Sequence, residues 1–500
     1  MRKETKTLLA QYLDSLCPIL YIHHADFADV DEELTRAAGS NIRFVEFNNA
    51  LGALNFKDKH PMLERPQTLA EFLANVMDEG FDDEQELVIV LKDVHESMSD
   101  PQVVALLRRI AERVSEDAGY NAKVIIVASK VIIPSELESF ITLMDVPLPD
   151  DDEIAGHIRE FARAGGFSVE DKAMDELVFS LKGLSAFQIR QVLSLAYQNG
   201  GGLNASDRKF ILGEKEQVVR KSGVLEMMNF KESIEDIGGL EKLKEWLKRK
   251  AKIFASLDKA IKFGVDRPNG ILILGMPGCG KSLAAKATAT LFKVPLIRLD
   301  VGRLLGKYVG ESEGNMRRAL KLAETVSPCV LWIDELEKAF AGIGGIGGEV
   351  ATRLFGHFLT WMQEKRSTVF IVATANDISK LPPEFLRKGR FDELFFVDLP
   401  NEQERRRIIE IHLKKRGKWS DGKIDVGTLA LKSEGFNGAD LEGVVKDAVE
   451  TAFIDGESTI TTARLLESLK DTKSISDIQK DKITKLRDEL KKYDIKPASI

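Results

Sequence analysis

The segment 269–292, NGILILGMPGCGKSLAAKATATLF, constrains this chain more than any other. Ile271–Leu274 is a short apolar run, the pattern of a strand buried on both faces. Gly275-Met-Pro-Gly-Cys-Gly-Lys-Ser282 follows as a full G-x-x-x-x-G-K-S match, and Leu283–Phe292, rich in Ala, Leu and Lys, reads as a helix. Strand, glycine loop and helix in that order form a cradle for phosphate. Gly275, Gly278 and Gly280 let backbone N–H groups wrap an anion without Cβ clashes, and the helix adds its positive end. Lys281 brings a mobile cation to the β/γ phosphates, and Ser282 offers a hydroxyl to Mg²⁺. A glycine-rich turn with a purely structural task would need no Lys-Ser behind its last glycine.

Downstream, Val330–Ile333 reads as another buried strand and ends in Asp334-Glu335. Asp334 is suited to hold Mg²⁺ through the waters that this ion retains. Glu335 is suited to polarise an attacking water. Alone, such a pair caps helices on many protein surfaces; behind a phosphate loop it reads as hydrolytic. A third strand, Val369–Ala373, leads to Thr374-Ala-Asn376, whose amide would sit beside the second strand's tip and reach the γ-phosphate or the water. Arg387 and Arg390 then stand three apart, on one face of a short helix or turn.

Residues 233–468 resemble an AAA ATPase module, motif by motif. The resemblance implies ATP and Mg²⁺ as ligands. It makes Glu335 the hydrolytic acid and Asn376 the first sensor. Arg387 and Arg390 become fingers that reach the γ-phosphate of a neighbouring subunit. It sets Asp236 and Gly238, in the entry segment Ile234–Leu240, near the adenine. Pro277, Cys279 and Leu283 join the phosphate loop's contacts, and Gly438 and Ala439 open a lid helix facing the nucleotide. Ala439 occupies the place of a second-sensor arginine, as is common in the AAA subfamily, whereas Phe391-Asp-Glu393 departs from the commoner Phe-Asp-Arg. A finger supplied in trans implies a head-to-tail contact that closes into a ring, hexameric in this family. Leu304–Glu313 resembles the loop lining the channel of such rings, where Tyr308 and Val309 would grip an extended protein chain. Gly342–Gly348 would form a second mobile loop near that pore. Along its whole length the chain is similar to the hypothetical chloroplast reading frame forty-six family of AAA proteins.

The first half repeats the strand rhythm without the chemistry. Pro18–Ile22 aligns with Ile271–Leu274, Ile42–Phe47 with Pro295–Leu299, Leu87–Asp93 with Val330–Asp334 and Lys123–Ala128 with Thr368–Ala373. Leu148-Pro149 matches Leu399-Pro400, and Gly183 follows at nearly the spacing of Gly435. In the loop's place stands His23-His-Ala-Asp-Phe-Ala28, with neither glycine nor lysine. Asp93 aligns with Asp334, Val94 with Glu335 and Val131 with Asn376, and Leu137–Phe140 has no arginine. The fold class is therefore α/β: a P-loop parallel sheet flanked by helices with a C-terminal helical lid, preceded by a degenerate AAA-like α/β domain. An unrelated α/β domain sharing the rhythm by chance is the alternative reading of the first half. The expected boundaries are 1–205 for the degenerate domain, 206–232 for a linker helix with Met227-Met228 packing at its end, 233–400 for the ATPase core and 401–470 for the lid. Residues 471–500 would form an amphipathic helix, packed through Ile478, Ile483, Leu486 and Leu490, and then a loose tail.

Composition limits the remaining possibilities. A net charge of −8 argues against broad nucleic-acid binding, and no apolar run is long enough for a membrane span. Three cysteines form no disulfide framework, which fits a cytoplasm or a plastid stroma. Cys279, beside Lys281 and a helix start, sits where thiol pKa values fall and oxidation is favoured; an inert loop residue is the alternative. The functional expectation is ATP hydrolysis by a homo-oligomer, coupled to remodelling of a protein substrate, against a nucleotide-gated scaffold without threading. If Tyr308 is a pore residue, Tyr308→Ala should keep its ATP turnover and lose substrate remodelling. Equal loss of both in a coupled assay would reject that role.

Overall fold

The protein is described here by a computed structural model covering residues 2–15, 17–38, 42–63, 65–78, 86–116, 122–200, 203, 207–220, 223–304, 311–339, 349–387, 389–418, 423–457, 459–490, 492–493 and 495–499. The expected pore residues Tyr308 and Val309, and all of the expected glycine loop at 342–348, lie outside the described residues. The chain divides into two units, Met1–Asp207 and Arg208–Ile500.

In the first unit, apolar runs form strands β1 (Ile19–His23), β2 (Ile42–Asn48), β3 (Gly52–Asn55), β4 (Glu86–Lys92), β5 (Ala122–Ala128) and β6 (Ile141–Asp145). Their order in the sheet is β3-β2-β4-β5-β1-β6, parallel except for the β2–β3 hairpin. Val88 and Val90 face Val30 and Leu34 of the helix Phe27–Ala37, while Leu87, Ile89 and Leu91 face the opposite layer with Leu107 and Ile110. A parallel sheet must be covered on both faces, which is why these strands read as nearly unbroken apolar runs.

The second unit repeats the plan with β7 (Leu225–Met228), β8 (Gly270–Gly275), β9 (Leu296–Leu299), β10 (Cys329–Ile333), β11 (Val369–Ala375), β12 (Glu393–Val397) and β13 (Lys496–Pro497). The order is β13-β12-β8-β11-β10-β9-β7. Within it, β9-β10-β11-β8-β12 matches β2-β4-β5-β1-β6 strand for strand. One face packs Leu272, Leu331 and Ile371 against Met316, Phe358 and Met362 of two flanking helices. The other carries an aromatic layer in which Phe292 lies 4.9 Å from Phe370 and 4.8 Å from Phe254, ring centre to ring centre. Helices Glu402–Lys415, Val426–Lys432, Gly438–Ile454 and Thr462–Asp471 form the lid around its own core of Leu413, Leu429, Leu441 and Leu465.

Three expectations are corrected. Residues 208–228 do not stand apart as a linker: the helix Arg208–Arg220 sends Val219 into the second unit's core, and Met227 and Met228 belong to β7, antiparallel to β9. The amphipathic stretch breaks at Gln479, so Ile483 and Leu486 enter the core whereas Ile478 is 66% exposed. The tail is not loose, because β13 pairs with β12 and Ala498 is fully buried.

Where β8 becomes the loop, the backbone passes against β12, and the Met276 N–H donates to Val397 O (3.1 Å). Gly275 has φ +139°, and a Cβ there would collide with the Val397 carbonyl. Gly275→Ala should therefore cost on the order of 2–3 kcal/mol, as overpacking does. Urea unfolding would show this as a lowered midpoint, and an unchanged midpoint would contradict it.

Candidate nucleotide site

The loop after β8 ends on Gly280, whose φ of +90° starts the helix Lys281–Phe292. Gly278 (φ +72°) packs so closely on the lid that a Cβ would strike the Asn437 amide. Asn437 caps the helix Gly438–Ile454 and donates from Nδ2 to Pro277 O (3.0 Å), while Ala439 N–H donates to Gly278 O (3.1 Å). Both loop and lid helix thus present their N-terminal ends to one cleft, a setting that favours an anion.

That cleft is lined by Asp236 and Gly238, by Pro277 through Leu283, by Asp334, Glu335 and Asn376, and by Gly438 and Ala439. Of the expected nucleotide-site residues, only Gly275, Arg387 and Arg390 stand off its wall. Gly275 shapes the loop from behind. Arg387 is exposed beyond the 3₁₀ turn Pro383–Leu386, and Arg390 donates to Leu359 O (3.4 Å), so the two do not share a helix face.

Lys281 is only 6% exposed, and its amine donates to Gly275 O (2.9 Å) and Met276 O (2.6 Å). Burial pushes its pKa down to about 8. A buried ammonium held only by carbonyls is matched to an incoming phosphate. Ser282 Oγ lies 3.5 Å from Asp334 Oδ1, which also accepts from Thr374 Oγ1 (2.5 Å). One hydroxyl and one carboxylate suit Mg²⁺, which keeps most of its waters. Glu335 has φ +51°, a conformation costing a non-glycine residue about 1–3 kcal/mol. Thr374 Oγ1 accepts its N–H (3.2 Å) and helps hold it there. The Glu335 carboxylate receives Asn376 Nδ2 (3.4 Å) and Lys338 Nζ (2.7 Å), and the buried Glu337 fixes the Asn376 backbone N–H (3.0 Å). The Glu335 carboxylate and the Asn376 amide thus meet on the cleft that the phosphate loop also lines.

Of the two readings of Cys279, reactive thiol and inert loop residue, the surroundings favour the second. Burial pushes its pKa up to about 12 despite the nearby Lys281 charge, so the inert reading holds. The motifs also missed one side of the wall. Ile408, Ile411, His412 and Lys415 line the cleft from one face of the helix Glu402–Lys415, and Lys415 pairs with Asp236 (3.1 Å). Their spacing of three and four marks a helix face, but nothing local says which face the loop will meet.

In the first unit the corresponding places are filled by the chain's own charges. Asp26 takes Gly280's place as the residue before the helix, and its carboxylate accepts Asp29 N–H (3.3 Å) and Phe187 N–H (3.0 Å). Phe27 and Ala28 follow where Lys281 and Ser282 would be. The alternation of faces corrects the expected alignment by one residue. Val94 packs in the layer of Leu91 as Leu336 packs in that of Ile333, and Asp93 (φ +54°) repeats the turn of Glu335. Asp93 therefore stands in the place of Glu335, and Lys92 in that of Asp334. Lys92 is held by Asp31 (2.6 Å) and Glu46 (2.8 Å). Ser129, rather than Val131, follows β5 as Asn376 follows β11.

A doubly repeated sheet, a phosphate loop and a helical lid define an AAA ATPase. Residues 271–399 match the ATPase family associated with various cellular activities, and 423–467 match the AAA+ lid domain. Residues 5–146 and 152–222 match the N-terminal and second domains of SpoVK-like AAA ATPases. The AAA domain-containing protein ycf46 of Guillardia theta is 38% identical, covering 87% of this chain and 84% of that relative. Its counterpart in Pyropia yezoensis is 36% identical over 84% of each. The chain belongs to this ycf46 family of AAA proteins.

Asp26 joins two helix starts, so Asp26→Ala should destabilise the first unit by about 1–2 kcal/mol, the scale of a lost cap. Amide exchange in the helix Ala186–Gly200 should quicken, and exchange at the wild-type rate would count against this role.

Proposed function

We propose that the protein hydrolyses ATP at one site per chain, within a ring whose next subunit completes that site. The observation that carries the reading is the meeting of Glu335 and Asn376 with Lys281, Ser282 and Asp334 around one cleft. Lys281 leaves its two carbonyls to bind the β/γ phosphates. Ser282 and, through waters, Asp334 would hold Mg²⁺, which supplies positive charge to the transferring phosphoryl group. Glu335 accepts the proton of the attacking water while Asn376 orients water or γ-phosphate. Asp236, Gly238 and the lid wall enclose the base.

Arg387 is exposed and lies off the chain's own cleft, which suits a finger offered to a neighbour. That neighbour is a second copy, in a head-to-tail ring that we take to be a hexamer. The first unit, with Phe27 and Lys92 in place of Lys281 and Asp334, is assigned to ring stability or partner docking. The ATP cycle then drives remodelling of a protein client in the cytoplasm or plastid stroma.

Glu335→Gln should bind ATP and lose turnover by at least about a hundredfold, the lower range for a general base. With ATP it should sediment as a ring and retain its client in a pull-down. Unimpaired hydrolysis would remove Glu335 from its role; a monomer under these conditions would end the shared-site reading. A ring that captures a partner but never remodels it would favour the scaffold.

A further inference from the structure

The segment after the lid touches the lid, the joint between sheet and lid, and the lid helix that lines the cleft, in sequence, and none of the motifs accounts for it. Its first contact is with the lid. Ile475 N–H donates to Asp440 Oδ2 (3.1 Å), which also accepts Asn437 N–H (3.1 Å). Asn437 is the residue whose amide holds Pro277 of the phosphate loop. Ser476 N–H reaches Gly435 O (3.4 Å), just ahead of the same helix.

The second contact is at the joint between sheet and lid. Asp398 follows β12 and precedes Asn401, the cap of the first lid helix. Arg487 grips its carboxylate as a fork, with Nη2 at 2.9 Å from Oδ1 and Nε at 3.0 Å from Oδ2. Ile483 and Leu486 root that arginine's helix in the sheet's core. A forked pair fixes direction as well as distance, which a single charge contact does not.

The third contact reaches the segment behind the base. Lys496 pairs with Glu393, the residue that departs from the usual finger sequence. Ala498 accepts Leu243 N–H at its carbonyl (3.1 Å) and donates its own N–H to Phe396 O (2.8 Å). Ser499 Oγ donates to Glu404 Oε1 (2.5 Å), the same oxygen that accepts Leu240 N–H (3.1 Å). Gly238 and Gly239 lie so close to Ile408 and Glu404 that neither could carry a Cβ without collision. A shift of Glu404 would therefore move the wall beside the base.

We propose that the described residues between 474 and 499 act as a strap that sets the lid against the sheet, with Arg487 acting through Asp398 and Ser499 acting through Glu404 as positioning residues for nucleotide binding. The strap meets the lid beside the caps of two of its helices, at Glu404 next to Asn401 and at Asp440 next to Asn437. It thereby links how firmly the lid sits to how tightly nucleotide is held. This rests on the ATP-binding reading of the cleft, but the lid's own rigidity can be followed without nucleotide.

The test compares wild type, Arg487→Ala, Asp398→Asn and the double variant in the full-length chain. Amide exchange without nucleotide should quicken at 398–404 and 435–440 in each single variant. The dissociation constant for a fluorescent ADP with Mg²⁺ should rise roughly three- to fivefold, the scale of a well-formed exposed ion pair. The double variant should be no worse than the singles, and turnover at saturating ATP should stay within about twofold, so that KM moves and kcat does not. Exchange at the wild-type rate in these segments would overturn the strap, as would additive effects in the double variant. Failure of the wild type to bind the fluorescent ADP would instead defeat the nucleotide reading, with exchange still deciding the strap.

Discussion

The Lys281 ammonium lies largely out of water and donates to the carbonyls of Gly275 and Met276. Burying such a group is costly unless oxygen atoms surround it, and the chain supplies them by bending its backbone inward. That bend needs glycine at 275, because the Val397 carbonyl of the neighbouring strand lies where a Cβ would go. It also turns the Pro277 and Gly278 carbonyls outward, where the Asn437 amide and the Ala439 N–H meet them. One buried charge thus sets the path of the loop, the closeness of β12 and the seat of the lid.

The acidic edge of the cleft depends on the same sheet. β10 and β11 run side by side, so Asp334 and Glu335 emerge beside Thr374 and Asn376. Thr374 serves both acids through one hydroxyl, accepting from Glu335 N–H and donating to Asp334. Glu335 can then hold a left-handed backbone that places its side chain over the cleft rather than into the core. Strain at that point is offset by strands that are buried along their whole length.

Much of this was legible because the chemistry dictates residue type at fixed places. A phosphate loop needs glycines and a lysine, and strands covered on both faces need unbroken apolar runs, so both sheets and most of the cleft could be read directly. What escaped depends on which surfaces meet. Ile408, Ile411, His412 and Lys415 occupy a helix face whose partner lies over a hundred residues away in the chain. The tail's two-residue strand is too short to show any period. The alignment of Lys92 and Asp93 failed by one place, and in a strand one place turns every side chain to the other face. At Cys279 the neighbouring Lys281 charge and the helix start point one way and burial the other, and sequence alone does not show that burial is the larger effect.

The first unit's fillings have a further meaning. Asp26 lays a negative group where phosphate would lie, and Lys92 a positive group where the metal would lie. At the metal's place the sign is reversed, and at the loop a carboxylate stands where the second unit has an uncharged glycine. Restoring a lysine in the loop's helix would leave the Asp26 carboxylate to repel phosphate; removing Asp26 alone would leave an ammonium in the metal's place. No single substitution would therefore give the first unit both a phosphate loop and a metal site, and the two sheets of this chain, alike in strand order, differ in what the ends of their strands can hold.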